Sequence, residues 1–151
     1  LFDRFSQRDY VLLEHLEAHG LLAGTTANDI FETLVRARMR LAGEHLAFAL
    51  SLAPTNPAHR RQIISRCYYA MHHSARAVLL YRNHREYIIH SNDRDSVIER
   101  FSRIFPDPDG QRQRRMLQDW HDLRVDVDYN PSLASDLLTE AQLAQQEAQR
   151  S

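Results

Sequence analysis

At 151 residues, with 43% hydrophobic and 26% charged residues, the chain is sized for one soluble globular domain that buries its own core. A net charge of −1 excludes a uniformly basic nucleic-acid binder. One cysteine, Cys67, excludes an intramolecular disulfide and fits a reducing cytoplasmic setting.

Four glycines and five prolines are too few for a turn-rich sandwich or barrel. No run reads as a transmembrane helix or a secretory leader, so no membrane association is expected. All 19 basic residues are arginine, so any positive patch consists of planar forks suited to phosphate or carboxylate.

Residues 1–28 read as an N-terminal helical extension and linker, and residues 29–151 as the main domain. Tyr10, Leu13 and Leu16 recur at helical spacing, Ser6 with Asp9 offers a cap, and Gly20 ends the segment. His15 and His19 share a helical face, but no third ligand accompanies them, and a solvated surface is the expectation. No pattern in the chain requires a metal or a cofactor.

Asp29 with Glu32 reads as a capping box opening a helix from about Ile30 to Leu52. Its expected apolar stripe is Ile30, Leu34, Ala37, Leu41, Phe48 and Leu52. Arg36, Arg38 and Arg40 crowd one stretch and are expected on a solvated surface. Pro54 stops this helix, and Asn56-Pro57 starts the next with a capping side chain and a first-turn proline.

The next helix, reaching Tyr81 or His84, organises the chain. Ile64, Cys67, Tyr68, Met71, Ala75 and Val78 form its apolar side. Ser65, Tyr69, His72 and Arg76 fall within about 60° of one another on another side, flanked by Arg66 and His73. Helices that only cover a core usually show water Glu, Lys and Gln. This one shows hydroxyl, imidazole and guanidinium groups, which suit a phosphate, a base or a carboxylate. A polar dimer seam is the alternative reading. Cys67, on the apolar side, is expected to be a core residue.

Residues 82–91 read as loop, containing His84 and His90. Ser91 or Asn92 then caps a short helix with Val97, Ile98, Phe101 and Ile104 as its apolar set. Pro106 to Gly110 breaks the chain. A fourth main helix, about Gln111 to Asp128, carries Met116, Trp120, Leu123 and Val127 toward the core. Its second face holds Leu117, His121, Arg124 and Asp128. Asn130-Pro131 ends it. The last helix, from about Ser132, uses Leu133, Leu137, Ala141, Ala144 and Ala148, with a polar tail expected to fray. No segment alternates like a half-buried strand. The expected fold is all-α, an antiparallel up-and-down bundle of four to five main helices with an extra short N-terminal helix.

Arg66, Tyr68, Tyr69, Ala70, His73 and Ala77, followed on the fourth main helix by Arg124, Asp128, Tyr129 and Pro131, resemble the HEPN family (higher eukaryotes and prokaryotes nucleotide-binding), in particular its small prokaryotic branch. The resemblance spans about Ile30 to Ala148. It implies a helical bundle that dimerises. Many members are metal-independent ribonucleases whose arginine is followed shortly by a catalytic histidine; others bind nucleotides or partner a minimal nucleotidyltransferase in toxin–antitoxin pairs. Here Tyr129 stands where that histidine would be, and a phenol with a pKa near 10 is a poor general base.

Three readings follow. The first is a HEPN-like module binding nucleotide, RNA or a nucleotidyltransferase through Arg66, Tyr69, His72, His73, Arg76, Arg124, Asp128 and Tyr129. The second is a metal-independent ribonuclease, with Arg124 stabilising charge at phosphorus and His121 or His73 moving the proton. The third is a structural homodimer or adaptor whose polar faces are spent on internal pairing.

Overall fold

The computed structural model describes residues 7–82, 94–130 and 136–151; side chains are described from residue 11 and, after the first gap, from residue 97. The described residues form helices α1 (Gln7–Ala18), α2 (Ala27–Ser51), α3 (Pro57–Arg82), α4 (Arg94–Ile104), α5 (Pro108–Tyr129) and α6 (Leu138–Arg150), with no strand among them. The fold is the expected all-α bundle, with a short helix at its N-terminal end. Among the described residues, no helix is long and apolar enough to cross a membrane. The expected Ser6 cap, the Tyr10 side chain, the 83–91 loop with His84 and His90, the Asn92 cap, Pro131, Ser132 and Leu133 lie outside the description.

Helix α3 is the axis of the bundle, packing against α2, α4, α5 and α6. Ile63, Ile64, Cys67 and Met71 are fully buried, and each large aliphatic side chain so buried contributes about 1.5–3 kcal/mol. Burial pushes the Cys67 thiol up to about 12, so it is an inert core group. Val78, expected on this side, is exposed; Leu79 instead joins the main core and Leu80 joins a second cluster with Ala27, Phe31 and Leu34. Near its C-terminus α3 therefore buries two sides at once, and Val78 falls between them.

Helix α2 departs furthest from expectation. Its cap is Thr26, whose Oγ1 accepts from the Asp29 amide at 3.0 Å while Asp29 Oδ2 accepts from the Thr26 amide at 2.9 Å. Asp29 is thus the return partner of the capping box rather than the cap, and donation from the Thr26 hydroxyl at 2.7 Å, then from the Thr26 amide, holds its carboxyl below the usual range. Glu32 instead pairs with Arg36 at 3.2 Å. The buried stripe is Ala27, Phe31, Leu34, Arg38, Ala42 and Ala49. The helix is rotated from the expected stripe so that alanines approach α3, and Phe48 and Leu50 face outward. Arg38 is only 6% exposed, not solvated, whereas Arg36 and Arg40 are exposed as expected.

At the start of α5, Asp107 Oδ1 accepts from the Gly110 amide at 3.0 Å, and Pro108 occupies the first turn. The Pro106–Gly110 break therefore contains the cap itself. Leu117 and Val127 are buried, with Met116, Trp120 and Leu123 packed around them. Helix α6 begins at Leu138, later than expected, where Asp136 accepts from the Leu138 amide and pairs with Arg60. Its alanines 141, 144 and 148 are buried. Gln145 Nε2 donates to the carbonyls of Ala49 at 2.8 Å and Leu52 at 3.2 Å, tying α6 to the end of α2. Helical structure continues through the polar tail to Arg150.

Candidate functional site

The polar side of α3 lies where α2 and α5 both pack on it, and Tyr69 touches each neighbour. On the α5 side, Arg124 Nη2 donates to the Tyr69 hydroxyl at 2.5 Å. Arg124 Nε lies 2.7 Å from Asp128 Oδ2, one helical turn on; the Arg124 side chain is largely enclosed and Asp128 stands at the surface. Ser65 Oγ donates to the same carboxylate oxygen at 3.3 Å. The guanidinium carbon is 5.1 Å from the Tyr69 ring centre and 5.5 Å from that of Tyr129. Tyr129 is 71% exposed. Arg61 Nη1 donates to the Val127 carbonyl at 2.9 Å, fixing the end of α5 to the start of α3.

On the α2 side, Tyr69 stacks on His45 with ring centres 5.4 Å apart, and His45 stacks on His73 at 5.5 Å. Arg66 Nη1 donates to His45 Nδ1 at 3.3 Å, and Arg38 Nη1 to His73 Nδ1 at 3.5 Å. Arginine has only donors, so in both bonds Nδ1 is the acceptor and the ring proton sits on Nε2. Burial, then the Arg66 charge, hold the His45 imidazole below its ordinary range. The Arg66 guanidinium also covers the Phe48 ring at 5.2 Å.

A second, inner group contains Tyr68, His72 and His121. Tyr68 OH and His72 Nδ1 are 3.4 Å apart. The His121 ring meets Tyr68 edge-on at 5.5 Å, and its Nδ1 is 2.9 Å from Asp122 Oδ1. Burial, followed by the charge of Arg76 and the nearby His73, Arg38 and His121, pushes His72 down to about 3, so it is neutral.

The nine residues expected at the site thus divide. Arg66, Tyr69, His73, Arg124, Asp128 and Tyr129 share the outer face. His72, His121 and Arg76 belong to the inner group, and His121, expected on an accessible face, is only 5% exposed. His45, unassigned from sequence, and Phe48, expected in the core stripe of α2, join the outer face, while Arg38, expected on a solvated surface, is buried behind His73. The signal for Phe48 was its size in a stripe where alanines do the packing. Arg38 and His45 are visible only once α2 is rotated to bury its alanines. Among the described residues no cluster of ligating side chains could hold a metal ion.

No protein-family model, curated protein or solved structure matches the chain.

Proposed function

We propose that the chain is a HEPN-like module that binds nucleotide or RNA through the α2–α3–α5 face without cleaving it. The observation that carries this reading is Arg124, a guanidinium held by Tyr69 and Asp128 beside the exposed Tyr129 ring. The arginine supplies a phosphate-binding fork and the tyrosine a surface for a base. Arg66 beside His45 adds a second fork on the same face.

Binding is favoured over cleavage by the state of the imidazoles. A general base needs an unprotonated nitrogen within reach of the substrate. On His45 and His73 the unprotonated Nδ1 faces an arginine. On His121, Nδ1 faces the Asp122 carboxylate at 2.9 Å and the side chain is enclosed, away from any substrate on the outer face. His45 retains an Nε2–H donor, which suits a phosphate or a base edge. The HEPN resemblance extends the proposal to a cytoplasmic homodimer and to a minimal nucleotidyltransferase as protein partner.

The test is titration of labelled RNA at low salt in excess EDTA, with Arg124→Ala alongside. Binding that the variant loses, with the RNA left intact, supports the module. Cleavage by the parent that the variant lacks overturns it in favour of the ribonuclease. Absence of both binding and cleavage leaves the structural adaptor.

A further inference from the structure

We propose that this face takes a single-stranded nucleic acid rather than a mononucleotide, with one base stacked on Tyr129 and another on Phe48. The inference rests on the binding reading above and names the form of its ligand. Tyr129, at the end of α5, is 71% exposed, and Phe48, near the end of α2, is 45% exposed. Each ring has its own arginine: Arg124 lies 5.5 Å from the Tyr129 ring centre, and Arg66 lies 5.2 Å from that of Phe48. A guanidinium over one π-face leaves the opposite face for a base, while its charge meets the phosphate beside that base. One such station suits a mononucleotide. Two stations suit successive parts of a strand.

The strip joining them is continuous. From Arg124 it passes through Tyr69 to His45, stacked at 5.4 Å, and from His45 to Arg66 at 3.3 Å. Two guanidiniums and the Nε2–H of His45 give it the donors that a phosphodiester backbone accepts. Of the adjoining carboxylates, Glu44 lies 3.8 Å from Arg40, and Asp128 holds Arg124 until a phosphate takes its place. A duplex keeps its bases stacked inside and cannot present their faces to either ring, so the strand must be single.

Fluorescence anisotropy of a labelled oligouridine of about 12 nucleotides, at low salt and with the whole chain, tests this. Oligothymidine forms a second arm, with uridine monophosphate and an RNA duplex as competitors. The expected result is binding of a single strand that neither competitor displaces. Phe48→Ala and Tyr129→Ala should each weaken it roughly tenfold, and together roughly a hundredfold, with Phe48→Trp restoring the first loss. Both side chains are exposed, and unchanged helical circular dichroism verifies the variants. Binding of either strand supports the proposal, and their ratio tells RNA from DNA as the source. If Tyr129→Ala weakens binding and Phe48→Ala does not, or if the monophosphate competes as well as the strand, the two-station inference fails while nucleotide binding stands. If the parent binds neither strand nor monophosphate, both fall.

Discussion

Arg124 on α5 donates from Nη2 to the Tyr69 hydroxyl of α3 at 2.5 Å, tying two helices together at the centre of the polar face. A bond from a charged donor in a largely enclosed setting contributes more than a neutral surface bond. Tyr69→Phe keeps the ring and its stack on His45 but removes the acceptor. Urea unfolding should show a loss of about 1–2 kcal/mol. An unchanged midpoint would mean that the arginine takes another position in solution.

His72 makes stability depend on pH. Its folded pKa of about 3 lies below the ordinary 6.5, because burial and then the charge of Arg76 oppose protonation. The unfolded chain therefore binds more protons between those values. The contribution is fully present above about pH 6.5, is lost as pH falls, and at pH 5 is down by about 2 kcal/mol. His72→Phe should flatten this part of the acid limb, whatever it does to stability at pH 7.5. Chemical denaturation across pH 4.5–7.5 measures the slope. An equally steep limb in the variant would assign it to other groups.

Gly110 marks where α4 turns into α5 at close quarters. A Cβ there would lie 2.1 Å from the Phe105 carbonyl oxygen and 2.4 Å from Phe105 Cβ. The obstacle is partly backbone and cannot rotate aside. Gly110→Ala should therefore cost about 3 kcal/mol and lower the thermal midpoint by several degrees. Retention of the parent midpoint would show that the turn gives way freely.

The axis of the bundle is legible in sequence because α3 carries an apolar side, through Cys67, Tyr68, Met71 and Ala75, that a 3.6-residue period detects. The apolar set of α4 and the alanines of α6 follow the same rule. Helix α2 is not legible that way. Its large residues Leu41 and Phe48 draw the expected stripe, whereas close packing selects Ala42 and Ala49, and Arg38 is buried because it donates to His73. Hydrophobic period cannot see a charged side chain satisfied by a distant partner. The same limit separates Arg124 from His121: one helical face holds both, but only the packing of Tyr68 shows that His121 is enclosed. Tyr69 was identifiable as a polar-face residue. Its role as the link between α2 and α5 depends on tertiary placement alone.

Asp128 separates a binding face from a structural one. It lies 2.7 Å from Arg124 and accepts from Ser65 at 3.3 Å, so a phosphate reaching Arg124 must compete with it. Asp128→Asn keeps the shape and removes the competing charge. If the face binds a polyanion, affinity for single-stranded RNA should rise severalfold at low salt. The salt slope should steepen by about one, since one more phosphate contact releases its counterion. Stability should fall by about 0.5–1 kcal/mol, the scale of an ion pair within one helix turn in a partly enclosed site. The structural reading expects the same stability loss with no RNA binding in either protein. Salt-dependent anisotropy and urea unfolding on the same two proteins therefore separate the readings: a stability change alone identifies Asp128 as an internal partner, and a stability loss accompanied by tighter binding identifies Arg124 as a guanidinium that the native carboxylate holds back from its ligand.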